Sequence, residues 1–340
     1  MSGSITPGSP RLELPAPPPG RTGWPWTEFP ESLPERMPDG APLLKLSIVM
    51  PSYDQAQFIE ESIRSVLLQG YPSLEFIIID GGSTDGSVDI IKKYEPWLAY
   101  WVSEADRGQS HAINKGIQRA TGDILLWLNS DDLCLPAAFA RAASAFSAHP
   151  DRQLVIGQAR LVNERGDIMG ELRSQFTSWE ELVTNPGNSV RQISTFFSRK
   201  LFDELGMVNE NLHIAMDNEL MVRFIRAYPP LVLTDYLTAY RTHPGAKTYG
   251  QLLKGYSETD KTRGRYLSDR RLRRAFRRRS SRNWLSLSET ESFPPGERAD
   301  CLLRAVRNRP SAFFARRFWA SLAALAVGRL QRCRRSEPEA

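Results

Sequence analysis

The residues best suited to chemistry follow a short apolar run near the middle of the chain. Residues 124–128 are apolar, and the polar residues Asn129, Ser130, Asp131 and Asp132 follow directly. A short apolar run bounded by polar residues is typical of a buried strand. Two adjacent carboxylates at the end of such a strand are unfavourable unless a cation lies against them, and a hard divalent metal that also bridges to phosphate is the best candidate. A solvated Asp-Asp turn explains the same residues equally well.

Three earlier apolar runs end in the same way. They cover residues 46–50, 74–79 and 100–102, and the polar stretches PSY, DGG and EADRG follow them. Helical stripes lie between the runs, so the pattern predicts strands that alternate with helices. Such alternation is typical of a parallel sheet with right-handed crossovers, whose ligands bind at the carboxyl ends of the strands. We therefore expect the four polar strand ends to form one site.

The same residue types indicate what this site binds. Neither GxGxxG nor GxxxxGK[ST] occurs in this half of the chain, so the usual phosphate-binding loops of dinucleotide-binding and P-loop proteins are missing. Tyr53, close to Pro51, offers a face on which a base can stack, and Asp80 offers an acceptor for an N–H group of that base. A metal at Asp131 would neutralise a diphosphate. Together these residues suit a nucleoside diphosphate carried by a metal.

Four segments, SIVMPSYDQAQFIEESIRSVLLQ, IIIDGGSTDGS, DRGQSHAINKGIQRATGD and WLNSDD, resemble in order and spacing those of family 2 glycosyltransferases. The similarity covers about residues 43–243. It implies the α/β GT-A fold of nucleotide-diphospho-sugar transferases, with a mostly parallel central sheet and flanking helices. It further implies an inverting transfer from a nucleotide-sugar donor, with UDP favoured, to a hydroxyl of a glycan or polyprenyl-linked acceptor in bacterial surface polysaccharide synthesis.

The resemblance also implies roles for individual residues. Donor contacts fall on Pro51, Tyr53, Asp80, Asn114, Asn129, Asp131 and His243. Mg²⁺ or Mn²⁺ is the implied cofactor, with Asp131 as first ligand and Asp132 in support. His243 belongs to an Arg-x-His motif in which the His approaches the metal and Arg241 also meets the donor. Two positions depart from the family pattern, because Asn129 and His111 stand where relatives often carry Asp; we expect His111 to be structural.

The later part of the similarity concerns the acceptor. Residues 191–197 are predicted to form a strand, and Gln192 and Thr195 are candidates for the acceptor side of the cleft, although an ordinary strand explains them as well. Asp217 stands at the start of a helical stripe, where the residue pattern alone favours an N-cap worth about 1 kcal/mol. The resemblance implies that Asp217 is the general base that takes the proton of the acceptor hydroxyl, with Glu219 as the next candidate.

The two ends of the chain differ from its middle. Residues 1–42 are rich in Pro, and we expect disorder up to about Gly20 followed by an extended arm whose aromatic residues lie against the domain surface. A catalytic domain over residues 43–250 and a basic helical region over residues 251–340 follow. Three scattered cysteines favour a reducing compartment, and neither a secretory signal nor a membrane-spanning apolar run is apparent. We therefore expect a cytoplasmic protein.

Charge is distributed unevenly along the chain. Residues 261–340 contain 21 Lys and Arg against 7 Asp and Glu, whereas residues 1–260 contain 23 against 32. One predicted helical face of the basic region is apolar: Ala315, Phe318, Trp319, Leu322, Leu325 and Ala326. An apolar aromatic face opposite an Arg-rich face predicts a helix on an anionic membrane surface. The resemblance implies that this surface is the cytoplasmic face of the inner membrane. Packing against the catalytic domain is the alternative, and nucleic acid is not an expected partner because no stacking-aromatic RNA motif is present.

Two other functions compete with sugar transfer. A sugar-phosphate nucleotidyltransferase also has an acidic strand end, but it requires a Gly-rich loop bearing Lys or Arg after the first strand, and residues 51–58 provide neither. A non-catalytic nucleotide-sugar-binding membrane scaffold would retain the fold without turnover. Asn129 is the feature that favours the scaffold.

Overall fold

The computed structural model describes residues 14–28, 36, 40, 42–184, 190–247, 251–290, 293–314 and 316–335. The chain divides into two compact units. The first comprises Met1–Phe176 and Ser189–Thr259, and the second comprises Thr177–Asn188 and Asp260–Ala340. None of the described helices is both long enough and apolar enough to cross a membrane.

Strands and helices alternate through the first half of the chain. In order they are β1 Leu46–Ser52, α1 Ile59–Leu67, β2 Leu74–Asp80, α2 Ser87–Lys93, β3 Tyr100–Ser103, α3 Gln109–Arg119 and β4 Ile124–Trp127. β1 pairs in parallel with β2 and β4, and β2 pairs in parallel with β3. β1, β2 and β4 are almost completely buried, which explains their continuous apolar runs. The predicted parallel sheet is confirmed for this half.

The second half extends the same sheet with mixed strand directions. Its elements are β5 Leu133–Cys134, α4 Ala138–Ala148, β6 Leu154–Val162, β7 Ile168–Leu172, α5 Trp179–Thr184, β8 Thr195–Ser198, α6 Arg199–Leu205, α7 Met216–Ala227 and β9 Leu231–Arg241. The order across the sheet is β3-β2-β1-β4-β8-β6-β9-β5, and β7 pairs with β6. β8 is antiparallel to both β4 and β6. The strand predicted over residues 191–197 is shorter than expected, because Gln192–Ser194 form a 3-10 helix and β8 begins only at Thr195.

The strand register aligns the polar strand ends. Ser52 at the end of β1 is opposite Asp80, and Asp80 is opposite Ser103 at the end of β3. α3 packs directly on β1 at Gly116, where an added Cβ would lie 2.3 Å from Cγ1 of Val49. Only glycine permits this close approach. The packing fixes the start of α3 next to the strand ends.

The N-terminal arm is part of the first unit. The buried guanidinium of Arg64 in α1 donates to three carbonyl oxygens of the arm: Pro15 at 2.8 Å, Pro25 at 3.2 Å and Trp26 at 3.0 Å. The Trp24 indole N–H donates to the carbonyl of Cys134 at 2.9 Å, and Trp26 is buried. Residues 14–20 therefore follow a defined path, contrary to the predicted disorder. Residues 1–13 and Phe29 lie outside the described residues.

The secondary-structure elements of the second unit, among the described residues, are all helices. They include α5, the end of α8 Leu252–Arg265, α9 Arg270–Ser288, α10 Pro295–Asn308, the 3-10 helix Pro310–Phe314 and α11 Arg316–Arg335. Within this unit the carboxylate of Asp260 accepts hydrogen bonds from Trp284 Nε1 at 2.7 Å and from the Ser280 hydroxyl. Burial raises the pKa of Asp260 despite these bonds.

Candidate active site

The end of β4 brings a carboxylate and an imidazole together. Oδ2 of Asp131 lies 3.1 Å from Nε2 of His243, which follows β9. The Asp131 side chain is 20% exposed and the His243 side chain 7% exposed. The His243 ring packs at 4.6 Å from the Phe58 ring, which limits its orientation. Asp131 and His243 therefore form a fixed, partly accessible pair of potential metal ligands.

Asp132 faces the interior instead. Its Oδ1 accepts the backbone N–H of Arg241 at 3.0 Å, and its Oδ2 accepts from Asn129 Nδ2 at 3.1 Å. Burial, together with the neighbouring charge of Asp131, raises the pKa of Asp132 well above its usual range. The prediction that Asp132 ligates a metal is corrected, because the side chain is fully buried and both oxygens are engaged within the protein.

Arg241 holds the Asp131 turn in place. Its fully buried guanidinium donates to the backbone carbonyls of Asp131 at 2.9 Å and Glu164 at 2.9 Å, and to Oε2 of Glu61 at 3.0 Å. Burial raises the pKa of Glu61, and the Arg241 charge opposes that shift. The predicted donor contact of Arg241 is corrected, since its side chain has no exposed surface and positions Asp131 instead.

Asn129 has a structural reason to replace an aspartate. Its Oδ1 accepts from Gln109 Nε2 at 2.9 Å and from Trp127 Nε1 at 2.8 Å, while its Nδ2 donates to Asp132. A carboxylate cannot donate that last bond and would add a third negative charge. The amide is therefore engaged within the protein, and a donor contact of Asn129 stays a prediction.

Of the three residues predicted to contact the nucleoside, Tyr53 is exposed, whereas Pro51 and Asp80 are buried. Tyr53 is 62% exposed, whereas Pro51 lies buried within β1. The carboxylate of Asp80 has no exposed surface and accepts from Gly82 N, from both the backbone and hydroxyl of Ser83, and from Ser103 Oγ. Asp80 therefore organises the turn after β2. Its predicted contact with a base is corrected on this geometry, and the predicted donor contact of Pro51 stays a prediction.

Asp106, and not Asp80, lies beside the exposed Tyr53 ring. A Cβ added at Gly81 would lie 2.8 Å from Asp106 Oδ2 and 3.2 Å from Cδ2 of Tyr53. The Asp106 carboxylate and the Tyr53 ring therefore approach the same point above Gly81. The other oxygen, Oδ1, accepts from Gly108 N at 2.6 Å. The sequence signal was available, because Asp106 belongs to the polar stretch that follows β3.

Asp217 is the second residue of α7 and is partly exposed. Its Oδ1 accepts from the backbone N–H of Asn218 at 2.6 Å. The N-cap predicted for Asp217 is corrected, because the cap position is Ala215. Glu258 of α8 satisfies the backbone ahead of the helix instead: its Oε2 accepts from the N–H groups of residues 213, 214 and 215 at 3.2, 2.9 and 3.0 Å. Burial alone would raise the pKa of Glu258, but these three bonds lower it.

Glu219 is a structural residue. Its carboxylate forms a bidentate pair with Arg223, with both distances 3.0 Å, and Arg223 also donates to the backbone carbonyls of Leu205, Gly206 and Met207. The Glu219 side chain is buried. Its predicted place on the acceptor side, as the alternative base, stays a prediction that the pair with Arg223 disfavours.

Three further predicted site residues lie inside the protein. Thr195 is fully buried and donates to the carbonyl of Arg191 at 2.7 Å, and the buried Gln192 amide donates to the carbonyl of Trp127 at 2.9 Å. Both Nδ2 protons of the buried Asn114 are used, by the carbonyl of Val208 at 2.9 Å and Oε1 of Glu210 at 3.0 Å. The acceptor contacts of Gln192 and Thr195 and the donor contact of Asn114 stay predictions.

Lys247 contacts Gln109 near the end of β4, a contact that the sequence did not reveal. Its Nζ donates to Gln109 Oε1 at 3.3 Å, and the Gln109 amide donates to Asn129. Desolvation lowers the pKa of Lys247, and the carboxylates of Glu258 and Asp217 oppose this shift. Asp217 therefore lies within electrostatic reach of a cation that contacts the Gln109–Asn129 pair.

Comparison with known proteins identifies the family. The Glycosyl transferase family 2 model matches residues 47–206. The uncharacterized glycosyltransferase Rv1514c of Mycobacterium tuberculosis is 32% identical over 204 residues, which are 58% of this chain and 75% of that protein. The chain belongs to glycosyltransferase family 2. The resemblance on the four sequence segments is confirmed.

Two other relatives of this glycosyltransferase carry more specific names. The putative teichuronic acid biosynthesis glycosyltransferase TuaG of Bacillus subtilis is 39% identical over 90 residues, which are 26% of this chain and 36% of TuaG. A PGL/p-HBAD biosynthesis glycosyltransferase of Mycobacterium bovis is 27% identical over 197 residues, which are 56% of this chain and 73% of that protein.

Solved structures confirm the GT-A fold of the glycosyltransferase. S. aureus TarS 1–349 in complex with UDP-GlcNAc has a TM-score of 0.59 and 18% identity, and the similarity covers 79% of this chain and 82% of that one. The crystal structure of TarS 1–349 in complex with UDP gives a TM-score of 0.57 at 19% identity, with the same coverage. At this level of identity the likeness concerns the fold alone.

The donor set of the glycosyltransferase can be tested for a metal. Among the described ranges, no group of three or more His, Cys, Asp or Glu side chains is arranged to hold an ion. Asp131 Oδ2 and His243 Nε2 nevertheless lie 3.1 Å apart, and the Asp131 carboxylate is partly exposed. Such a pair suits an ion that takes its other ligands from a diphosphate and water. The residues fit this two-ligand arrangement and not one that also uses Asp132.

Proposed function

We propose that this glycosyltransferase is an inverting enzyme that transfers a sugar from a UDP-sugar to a hydroxyl group of a glycan or polyprenyl-linked acceptor. The pathway we infer is bacterial surface polysaccharide synthesis. The observation that carries the proposal is the Asp131–His243 pair at the end of β4. The complex of TarS with UDP-GlcNAc supports a UDP-sugar donor, and the name of TuaG supports the pathway.

The chemistry requires a base near the acceptor. The acceptor oxygen attacks the anomeric carbon and forms the new C–O bond on the face opposite the leaving group. The bond between that carbon and the β-phosphate oxygen breaks, and its electron pair leaves with the nucleoside diphosphate. We assign Asp217 to take the hydroxyl proton, because it is partly exposed at the first turn of α7 whereas Glu219 is buried against Arg223.

Asp131 and His243 are the residues that would hold Mg²⁺ or Mn²⁺. A bound divalent ion would supply charge neutralisation for the departing diphosphate. Arg241 and Asp132 would keep Asp131 in position, since Arg241 bonds to its carbonyl and Asp132 bonds to the Arg241 backbone. A carboxylate held by the surrounding protein loses little freedom when a ligand binds.

We assign the nucleoside to Tyr53 and Asp106. The exposed Tyr53 ring offers a stacking surface, and Asp106 Oδ2 approaches the same point above Gly81. A carboxylate oxygen accepts an N–H group at the edge of a uracil-type base. The assignment replaces Asp80, whose oxygens already accept bonds from the turn that it organises.

We further propose that the enzyme works on the cytoplasmic face of the inner membrane, where a polyprenyl-linked acceptor would be presented. The excess of basic residues in residues 261–340 favours an anionic membrane surface as the partner of this region. Nucleic acid is not among the proposed partners.

The test is release of nucleoside diphosphate from UDP-, GDP- and dTDP-sugars, measured with Mn²⁺, with Mg²⁺ and with a chelator. We expect release from one or more UDP-sugars only when a metal is present. A chain that binds the donors without releasing nucleoside diphosphate would be the scaffold. Synthesis of a nucleotide sugar from a sugar phosphate and a nucleoside triphosphate would identify the nucleotidyltransferase. Either result contradicts the proposal.

A further inference from the structure

The second unit carries a cluster of exposed aromatic side chains. Phe314 is 82% exposed, Trp319 48%, Phe313 41% and Leu322 40%. The Phe313 ring lies 4.9 Å from the Trp319 ring and 5.7 Å from the Phe314 ring, measured between centroids. Trp319 and Leu322 are three residues apart in α11 and therefore share a helix face. We call these four residues the aromatic tip.

The aromatic tip is not the apolar face that the sequence predicted. Phe318 and Leu325 are 7% and 8% exposed and pack inside the unit, so they are not available to a membrane. Ser321 is buried as well, and Ala315 of the predicted face lies outside the described residues. The apolar residues of α11 thus form two rows: Phe318 and Leu325 pack inside the unit, and Trp319 and Leu322 are exposed.

The aromatic tip is held by the elements beneath it. The Arg317 guanidinium forms a bidentate pair with the carboxylate of Glu289, and Ser321 Oγ donates to the carbonyl of Arg317 at 3.0 Å. The Phe313 ring also contacts the buried Phe318 ring at 5.2 Å. The exposed rings therefore pack on residues that are held by contacts within the second unit.

The sequence around the aromatic tip is rich in arginine. Residues 301–335 contain nine Arg, no Lys and no Asp or Glu. Arg307, Arg309 and Arg316 are exposed and flank Phe313 and Phe314 in sequence. A guanidinium binds phosphate oxygens in a bidentate manner. A partner of this surface must therefore offer an apolar layer bordered by closely spaced anions.

We propose that the aromatic tip inserts into the interface of an anionic lipid bilayer, with Arg309 and Arg316 binding lipid phosphates. Exposed Trp and Phe rings beside arginines match the boundary between head groups and acyl chains. A symmetric contact with a second copy is disfavoured, because it would oppose arginines with no acidic residue in residues 301–335 to compensate. The inference rests on the proposed function in one respect: membrane binding would give the enzyme access to a lipid-linked acceptor.

Flotation of the full chain tests the proposal. The vesicles are phosphatidylcholine alone or phosphatidylcholine with about one third phosphatidylglycerol. We expect the wild type to float with the anionic vesicles only, and Phe314→Ser with Trp319→Ser to reduce the bound fraction by about tenfold or more. The matched control is Leu303→Ser, which removes another exposed apolar side chain of α10 and should leave binding unchanged. Circular dichroism confirms that each variant is folded.

Three outcomes would overturn the proposal. The first is a Phe314→Ser, Trp319→Ser chain that floats as well as the wild type. The second is a wild type that stays with the soluble fraction or binds single-stranded RNA in preference to the vesicles. The third is a wild-type dimer in sedimentation that the double variant converts to a monomer. Release of nucleoside diphosphate by the same variants in detergent-free solution separates a failure at the membrane from a failure of the proposed sugar transfer.

Discussion

Asp217 and Glu219 lie two residues apart in α7, but their surroundings give them different roles. Glu219 is buried and neutralised by Arg223, whose guanidinium also holds three backbone carbonyls. Asp217 is partly exposed and lies within the electrostatic reach of Lys247. A base that receives a proton from a substrate must be accessible to it. At the scale of single residues, accessibility therefore decides between the two carboxylates.

Asp217→Asn should lower turnover by about 100-fold or more while donor binding is retained, because the amide keeps the bond from Asn218 but cannot take up a proton. Turnover comes from nucleoside diphosphate release, and donor binding from calorimetry. The matched control is Glu219→Gln, which should lower the melting temperature and leave turnover per folded molecule nearly intact. Normal turnover in Asp217→Asn would show that another group is the base.

Asp106 and Asp80 provide a second matched pair. Asp106→Ala removes the oxygen that lies beside Tyr53, so the Kd for UDP should rise by about tenfold, or ~1.4 kcal/mol, with little change in melting temperature. Asp80→Ala removes the acceptor of four hydrogen bonds in the turn after β2 and should destabilise the fold. Calorimetric titration with UDP and thermal unfolding measure the two effects. Unchanged UDP binding in Asp106→Ala would contradict the assignment of the base pocket.

At the scale of elements, the sequence predicted the alternation from β1 to β4 because apolar runs and helical stripes are local patterns. It also identified the end of β4, where polar residues interrupt such a run. It did not reveal that Arg241, Asp132 and Glu219 are internal, because partners distant in sequence decide that. Glu258 was missed for the same reason, since its carboxylate reaches backbone N–H groups more than forty residues away. Local patterns predict elements, and long-range contacts assign roles.

The N-terminal arm is the clearest example of such a long-range contact, and Arg64 tests it. Arg64→Met should lower the free energy of unfolding by about 3 kcal/mol, because the guanidinium of α1 satisfies three carbonyl oxygens of the arm. Urea unfolding of the full chain measures the change. The control is Arg21→Met. The Arg21 side chain is exposed and lies 5.5 Å from the centroid of the Trp26 ring, so its loss should change the free energy of unfolding by less than about 1 kcal/mol. A loss in Arg64→Met as small as that expected for Arg21→Met would mean that the arm contributes little through Arg64.

At the scale of the whole molecule, stability towards acid should depend on a carboxylate far in sequence from the proposed base. Glu75 in β2 accepts from Lys45 Nζ at 2.8 Å, from Ser47 Oγ at 2.5 Å and from the backbone and hydroxyl of Thr121, both at 2.7 Å. Burial would raise its pKa, but these bonds lower it from 4.5 to about 2. Because the folded pKa lies below the unfolded one, the stabilisation is complete above about pH 4.5 and is lost as the pH falls towards about 2.

The difference between these two pKa values corresponds to roughly 3 kcal/mol at neutral pH. Glu75→Gln should therefore lower the free energy of unfolding near pH 7 and flatten its decline between about pH 4.5 and about pH 2. Urea unfolding at a series of pH values measures both effects. Glu171→Gln is the matched control, because Glu171 is an exposed residue of the edge strand β7 whose pKa is also lowered to about 2, first by Tyr236 and next by Arg173. Solvent screening weakens such exposed pairs, so this control should leave the acid limb of the stability curve nearly unchanged. An equally steep acid limb in Glu75→Gln would show that other carboxylates set the acid stability of the fold.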